Sequence, residues 1–305
     1  MTRQEKILKR INELNSNFGK SKIREELSGD LFNELQKYGI MTIGRGADYD
    51  NTFDEIDIDK FDNEFSETEK EWINNFTKNC KSKNLRFKEA CIEVASKTSI
   101  ILYNDSIILN GDFKEYEIYL QNNSGIKKGI FKNKITLYGE SYIEGGSFDG
   151  EVELYEKSCI IGGKFNEDVR LNDKSYIDRG IFNGYVKLYD NSYIDDGIFN
   201  ATVVADDYTK INDGTFKDSI ELNGDASIEG GIFNVKNGIH MTDKTVINDG
   251  TFNGEIYLNS ASYISHGKFG SNCEVFLDPN WEEDQDTLNL LDKNGVKYEI
   301  GKYLL

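Results

Sequence analysis

The sequence predicts an all-β solenoid, a parallel β-helix of about ten rungs built from 17-residue coils of three strands. Phenylalanine recurs every 17 residues from Phe131 to Phe233, and two further phenylalanines follow after steps of 19 and 17. An isoleucine column runs beside it without a break from Ile108 to Ile264. A fixed short period of this kind is typical of solenoids, in which each turn buries its apolar face against the next turn.

Aligned on phenylalanine, the repeat is S-x-I-x-x-G-x-F-x-x-x-V-x-L-x-x-x, and its apolar positions come in i, i+2 pairs. This alternation predicts short strands with one face inward. Dipeptides such as Asp196-Gly197 and Asn183-Gly184 lie between the pairs and favour tight corners, because these residues tolerate positive φ. We expect an amide ladder at one corner, formed by the asparagines that follow phenylalanine, which are Asn166, Asn183, Asn200, Asn234 and Asn253.

Segments of different character flank the repeat. Residues 1–47 carry apolar residues at helical spacing, so we expect a small helical hairpin there. Residues 48–71 form an acidic-aromatic segment with eleven acids against two lysines. Residues 72–98 are expected to supply a helix and an N-terminal cap for the solenoid, which spans 99–277. The only proline ends the repeat, and residues 278–305 are expected to form a short C-terminal cap.

The composition limits the classes of function. A net charge of −18 argues against direct binding of nucleic acid, because contacts to phosphates need a basic surface, and it favours a basic protein partner. The four cysteines form no CxxC motif and predict reduced thiols. The first residues lack an apolar signal core, and no 18-residue apolar run occurs. We therefore expect a cytoplasmic protein without a membrane segment or a cofactor.

Two regions are candidates for binding this partner. The 48–71 segment sets aromatic anchors among its acids, which a solvated linker does not require. Its candidate residues are Phe53, Asp57, Asp59, Phe61, Asp62 and Phe65. Residues 99–277 hold 28 acids against 16 basic residues, and the corner after isoleucine stacks acids on successive turns. The candidate residues of this corner are Asp178, Asp195, Asp196 and Asp213.

Two interpretations of the stacked acids stay open. Aspartate before glycine favours a turn, whereas like charges on successive rungs repel and are relieved by a cation such as calcium. The chain lacks the G-G-x-G-x-D nonapeptides of the RTX β-rolls and a complete EF-hand loop. We therefore predict no metal site. We also predict no catalytic residue, because successive 17-residue steps leave no insertion to build a cleft, and His240 and His266 lie in different columns.

Two outward columns are candidates for an interface. One contains Ile181, Ile198 and Ile232, and the other contains Tyr142, Tyr176 and Tyr193. A β-branched outer face is also simply favoured in strands. A contiguous apolar stripe, however, is usually covered by another element or another chain. We therefore expect that the N-terminal helices cover the isoleucine column within one chain, or that a homodimer forms through these helices or the outer isoleucine column.

In outline the chain resembles other β-solenoids, including pentapeptide-repeat proteins, some of which act as acidic mimics of duplex DNA. The 17-residue period and the absence of A-[DN]-L-x-x units exclude membership of that family. We expect a non-catalytic solenoid that binds a basic protein, for example a nucleic-acid-binding one, as an inhibitor or nucleic-acid mimic of phage or mobile-element origin. The alternatives are a carbohydrate-binding surface or tail-fibre module and, less favoured, a polysaccharide lyase or hydrolase.

Overall fold

A computed structural model describes residues 40–43, 85–86, 89–93, 99–103 and 106–301, with the side chains of 99–102 and 106–301. The chain divides into two compact units, Met1–Tyr142 and Ile143–Leu305. The described residues form a parallel β-solenoid of about ten turns, which confirms the predicted architecture. The helices predicted before residue 99 lie outside the described residues.

Nine strands lie in the described residues of the first unit. They are β1 (Ile40–Ile43), β2 (Leu85–Arg86), β3 (Glu89–Glu93), β4 (Ser99–Tyr103), β5 (Ile107–Ile108), β6 (Glu117–Leu120), β7 (Gly125–Ile126), β8 (Ile130–Phe131) and β9 (Ile135–Leu137). Strand β3 pairs antiparallel with β1 and β4, and β2 pairs antiparallel with β5. From β4 onward the strand pairs of this unit are parallel, as the repeat requires.

The next strand, β10 (Tyr142–Ile143), lies at the boundary between the units. The elements of the second unit are β11 (Ser147–Phe148), β12 (Val152–Leu154), β13 (Cys159–Ile160), β14 (Lys164–Phe165), β15 (Val169–Leu171), β16 (Tyr176–Ile177), β17 (Ile181–Phe182), β18 (Val186–Leu188), β19 (Tyr193–Ile194), β20 (Ile198–Phe199), β21 (Val203–Ala205), β22 (Lys210–Ile211), β23 (Thr215–Phe216), β24 (Ile220–Leu222), β25 (Ser227–Ile228), β26 (Ile232–Phe233), β27 (Ile239–Met241), β28 (Val246–Ile247), β29 (Thr251–Phe252), β30 (Glu255–Leu258), β31 (Tyr263–Ile264), β32 (Lys268–Phe269), β33 (Glu274–Leu277), α1 (Gln285–Asn294) and β34 (Lys297–Ile300).

Every strand of a turn in the second unit pairs in parallel with the equivalent strand of the next turn. Ile177 pairs with Ile194 in one sheet, as do equivalent phenylalanines and valines in the two other sheets. The 17-residue period thus becomes the strand register. We name these sheets the isoleucine, phenylalanine and valine–leucine sheets after their buried residues.

A ladder of stacked phenylalanine rings fills the interior of the second unit. From Phe148 to Phe252 the centroids of consecutive rings lie 4.6–5.0 Å apart, and these rings are almost fully buried. The glycine two residues before each ring makes room for it. Gly197 has a φ of 147°, and a Cβ there would lie 3.0 Å from two ring atoms of Phe199. A side chain at this column is therefore excluded by both conformation and space.

Polar residues complete the corners. The predicted asparagine ladder is confirmed between consecutive turns, because Asn183 Nδ2 donates to Asn166 Oδ1 and Asn200 Nδ2 donates to Asn183 Oδ1, each at 2.7 Å. The buried serine column points inward, and Ser192 Oγ donates to the carbonyl of Tyr189 at 2.8 Å. Each inward hydroxyl bonded in this way avoids the cost of a buried polar group without a partner.

Helix α1 covers the last strand of the isoleucine sheet. Its N-cap Asp284 accepts from the N–H of Thr287 at 2.8 Å. The Oγ1 of buried Thr287 accepts the N–H of Ile264 at 3.0 Å, and Trp281 Nε1–H donates to the carbonyl of Ser262 at 2.7 Å. Side chains thus replace the backbone groups that another turn would have offered to this sheet edge.

Candidate partner-binding surface

The outer surface of the isoleucine sheet and its two bordering corners is the candidate surface, which we call the isoleucine face. Strands β16, β19 and β22 present Tyr176, Tyr193 and Lys210 outward, in register on consecutive turns. One bordering corner follows the buried isoleucine of each turn. The other corner follows the last residue of each valine–leucine strand. Both corners carry aspartates on successive turns.

The corner after isoleucine carries the four solenoid acids predicted from the sequence. We call Asp178, Asp195, Asp196 and Asp213 the isoleucine row, and the structure places them on three consecutive turns. Asp178 forms an ion pair with exposed Arg179, with an Nη2–Oδ2 distance of 3.0 Å. Asp195 Oδ1 accepts from the side-chain amide of Asn212 at 2.7 Å. This row therefore keeps most of its negative charge, with one arginine beside its first member.

Two members of the isoleucine row also shape the corner. The Oδ1 atoms of Asp196 and Asp213 accept the N–H of the following glycine at 2.6 and 2.7 Å. Both carboxylates are exposed. The turn interpretation therefore explains the hydrogen bond of one oxygen in each carboxylate, and the other oxygen is left to face solvent. Among the described residues, no three His, Cys, Asp or Glu side chains are grouped so that they could hold a metal ion.

A second row of acids, which the sequence did not lead us to predict, borders the same face. Asp173, Asp190 and Asp207 occupy the corner after the valine–leucine strand, with φ values of 59°, 59° and 58°. We call them the leucine row. Asp190 Oδ2 accepts the N–H of Asp173 at 3.0 Å, and Asp207 Oδ2 lies 3.4 Å from the N–H of Asp190. Each carboxylate thus links its turn to the preceding turn.

The signal for this row was present in the sequence. The second position after the buried leucine, or its Ala or Met equivalent, holds Glu156, Asp173, Asp190, Asp207, Gly224, Asp243 and Ser260. All seven have positive φ. Aspartate, asparagine and glycine are the residues that occupy this left-handed region most readily. A column enriched in such residues therefore indicates a left-handed corner.

A substitution at Asp190 tests this interpretation of the corner. Asp190→Asn should leave the free energy of unfolding nearly unchanged, because asparagine tolerates positive φ and its side-chain oxygen can accept the N–H of Asp173. Asp190→Val should lower that free energy by about 1–3 kcal/mol, because a β-branched residue is strained at a φ of 59°. Urea denaturation of both variants measures the difference. Equal stability of the two variants would refute a conformational role for this position.

The two rows together concentrate negative charge on three turns. Over residues 172–222 the two corners carry eight acids, namely Asp173, Asp178, Asp190, Asp195, Asp196, Asp206, Asp207 and Asp213. The basic residues of the same face are Lys174, Arg179 and Lys210. Three turns span about 14 Å at the usual strand spacing. Duplex DNA carries about eight charges over that length. The number of acids on this face therefore matches the charge of a duplex before the three cations are counted.

Two stacked tyrosines lie between the rows. The rings of Tyr176 and Tyr193 are 4.9 Å apart and inclined by 1°. The pKa of Tyr176 is raised to about 12, chiefly by a hydrogen bond with Cys159 and to a smaller extent by burial. Burial also raises the pKa of Tyr193. Both phenols therefore stay neutral and keep a hydroxyl proton at physiological pH. Tyr142 belongs to the first unit, where a Cβ on Gly125 would overlap its ring.

The outer isoleucine column lies on a different face, on the phenylalanine sheet. Ile181, Ile198 and Ile232 are 41%, 39% and 46% exposed, so they point outward as the sequence predicted. Thr215 separates the second from the third in register. The stripe is therefore one side chain wide. The structure does not bring it together with the tyrosine column, because the two columns belong to different sheets.

The remaining predicted site residues belong to the 48–71 segment. Phe53, Asp57, Asp59, Phe61, Asp62 and Phe65 lie outside the described residues. The helix that the structure describes is too short and too polar to cross a membrane. No protein-family model, curated protein or solved structure matches this chain.

Proposed function

We propose that this chain is a non-catalytic acidic solenoid that binds a basic protein through the isoleucine face. The observation that carries the proposal is the pair of aspartate rows on either side of Tyr176 and Tyr193. Rows of one sign on a rigid scaffold attract an oppositely charged partner over several ångströms and raise its association rate. Aspartates held by corner hydrogen bonds lose little further freedom when a partner binds.

The geometry favours a nucleic-acid-binding protein as this partner. Asp190 and Asp195 border the same turn of the face and are five residues apart, so their Cα atoms are separated by at most about 17 Å. The major groove of duplex DNA is about 12 Å wide between its phosphate rows. Two rows of carboxylates with a duplex-like charge number can therefore occupy a surface that evolved for phosphates. A protein held in this way is inhibited, because its nucleic-acid site is filled.

The 48–71 segment is the second part of the proposal. Its eleven acids add to the attraction, and Phe53, Phe61 and Phe65 supply apolar anchors. Charges chiefly set the association rate, whereas buried aromatic anchors chiefly set the rate of dissociation. Removing residues 48–71 should therefore speed dissociation of the partner, while the face keeps its charge.

Carbohydrate binding is the alternative, and the ring geometry favours it less. Sugar rings stack on an open aromatic face. Tyr176 and Tyr193 direct a face at each other, and Lys210 follows Tyr193 in register on the next turn. The outward parts of these rings are therefore mainly their edges and hydroxyls. Retention on a glycan array in high salt, lost in Tyr193→Ala, would favour this alternative.

Capture from an extract of the source cells tests the proposal. The bait is the full chain, beside a row variant with Asp190→Asn, Asp195→Asn, Asp196→Asn and Asp207→Asn. A control variant carries Glu167→Gln, Glu221→Gln, Glu283→Gln and Asp286→Asn, which remove the same charge from exposed positions off the isoleucine face. We expect nucleic-acid-binding proteins on the full chain, released by duplex DNA. The row variant should retain about tenfold less of them.

The control variant separates the face from the total charge. It should capture as much as the full chain, because all three baits keep the corners folded and the two variants have equal net charge. Equal capture by the row variant and the full chain would contradict the proposal. Equal loss in both variants would show that net charge, rather than the isoleucine face, holds the captured proteins.

A further inference from the structure

Strand β34 ends the valine–leucine sheet in a different way from the capped isoleucine sheet. It pairs in parallel with β33, and no described strand pairs with its other side. The last strand of the isoleucine sheet is instead closed by Thr287 and Trp281. The terminal edge of the isoleucine sheet is therefore covered by side chains, whereas the valine–leucine sheet ends in a strand.

The backbone of β34 shows which groups face outward. The N–H of Gly301 donates to the carbonyl of Leu277 in β33 at 3.0 Å. Because the direction alternates along a strand, Glu299 also faces β33, whereas the N–H and C=O of Tyr298 and Ile300 face away from it. These outward groups are spaced so that an added strand could form a regular ladder with them.

The buried leucine column also runs out at this strand. Leu258 and Leu277 are 1% exposed, but Ile300, which follows Leu277 in register, is 72% exposed. It is more exposed than every other large apolar side chain of the part that the structure describes. The column of buried leucines therefore continues by one exposed residue, Ile300, which lies beside the outward backbone groups.

The charges of β34 are self-complementary in one antiparallel register. With Tyr298 opposite Tyr298 of a second copy, Lys297 lies opposite Glu299 of that copy, and the twofold axis creates this pair twice. A second register allowed by the outward groups, centred on Glu299, sets two glutamates opposite each other. A third, centred on Ile300, sets Lys297 and Tyr298 opposite positions beyond the end of the second copy's β34. Opposite charges at such positions stabilise a strand pair, and like charges destabilise it.

We propose that β34 is a self-association strand that pairs antiparallel with β34 of a second copy of this chain. The pairing joins two valine–leucine sheets, satisfies the outward backbone groups of Tyr298 and places Ile300 against the end of the second copy. This interface is separate from the isoleucine face. Each of the two paired copies therefore keeps its own isoleucine face available to a partner.

Charge reversal tests the register as well as the association. Sedimentation equilibrium of the full chain should give twice the chain mass, with a dissociation that depends on concentration. Glu299→Lys or Lys297→Glu alone should weaken the dimer at least about tenfold, because each sets like charges opposite each other twice. The double variant Lys297→Glu with Glu299→Lys should restore the dimer. Lys293→Glu in α1 is the control and should leave the mass unchanged, because the proposed register gives it no opposing charge.

Four results would overturn the proposal. These are a full chain that stays monomeric, a dimer that survives Glu299→Lys, a double variant that stays as weak as the single ones, and dissociation by the α1 control. A variant ending at Gly301 identifies a competing occupant. If it dimerises while the full chain is monomeric, residues 302–305 cover β34 within one chain, and the second copy is excluded as the occupant.

Discussion

Replacing Phe199 by alanine is expected to lower the free energy of unfolding by about 3–5 kcal/mol. The ring is 0% exposed and is stacked between Phe182 at 4.9 Å and Phe216 at 4.8 Å. Its removal leaves a cavity that the two neighbouring rings cannot fill, because each is held in its own turn by the strand register. Urea denaturation followed by far-ultraviolet circular dichroism measures this loss.

The matched control for this prediction is Phe269→Ala in the last turn. Phe269 is only half-buried, and its one described ring neighbour, Phe252, is tilted by 32° at 5.6 Å. We expect less than half the loss of stability seen for Phe199→Ala, because less apolar area and fewer contacts disappear. If both variants lowered the free energy of unfolding equally, stacking of each ring between two neighbours would not be what stabilises the solenoid.

Thr287→Val should lower the free energy of unfolding by about 2–3 kcal/mol, although valine has nearly the same shape. The valine cannot accept the N–H of Ile264, and both residues are fully buried. A buried N–H without a partner costs about 1–3 kcal/mol, and the bond between the Thr287 hydroxyl and the N-cap Asp284 is lost as well. Thermal unfolding at constant pH measures the effect.

Thr287→Ser is the control for this second prediction. Serine keeps the oxygen that accepts from Ile264, so the loss should fall below about 1 kcal/mol, the contribution of the missing methyl group. If the valine variant lost no more stability than the serine variant, the hydrogen bonds of the Thr287 hydroxyl would not be what closes the isoleucine sheet.

The architecture was predictable because one physical rule repeats in every turn. Phe182 and Phe199 are 17 residues apart in sequence and directly stacked in space, so periodicity alone identifies the core column and the strand register. The outward isoleucines followed from the same alternation. The asparagine ladder followed from the corner position and the hydrogen-bonding capacity of the amide.

The leucine row was not predicted, because its cause is a backbone angle. Asp190 next to Asn191 resembles any polar corner unless the whole column is aligned. The contact of its carboxylate with the N–H of Asp173 on the preceding turn is seen only in the structure, where φ is 59°. The isoleucine row was identified because acids recur at the corner after isoleucine on successive turns, and because Asp196 and Asp213 precede glycine in a strong turn signal. The two rows border one face because the isoleucine strand lies between their corners in each turn. The charge pattern alone does not show this arrangement.

The role of Thr287 was also beyond the sequence. A C-terminal cap could be expected from the end of the repeat, but Thr287 reaches the backbone of a residue 23 positions earlier. Such a contact depends on where α1 lies in three dimensions. A threonine three residues after Asp284 otherwise resembles an ordinary position in the first turn of a helix.

The association rate of a captured partner, measured against ionic strength by surface plasmon resonance, tests the central claim most directly. For the full chain and the control variant the rate constant should fall steeply as salt is added. For the row variant it should be about tenfold lower at low salt and should depend less on salt, because four carboxylates of the isoleucine face are neutral. If the row variant associates as fast as the full chain, with the same dependence on salt, the isoleucine face does not bind the partner.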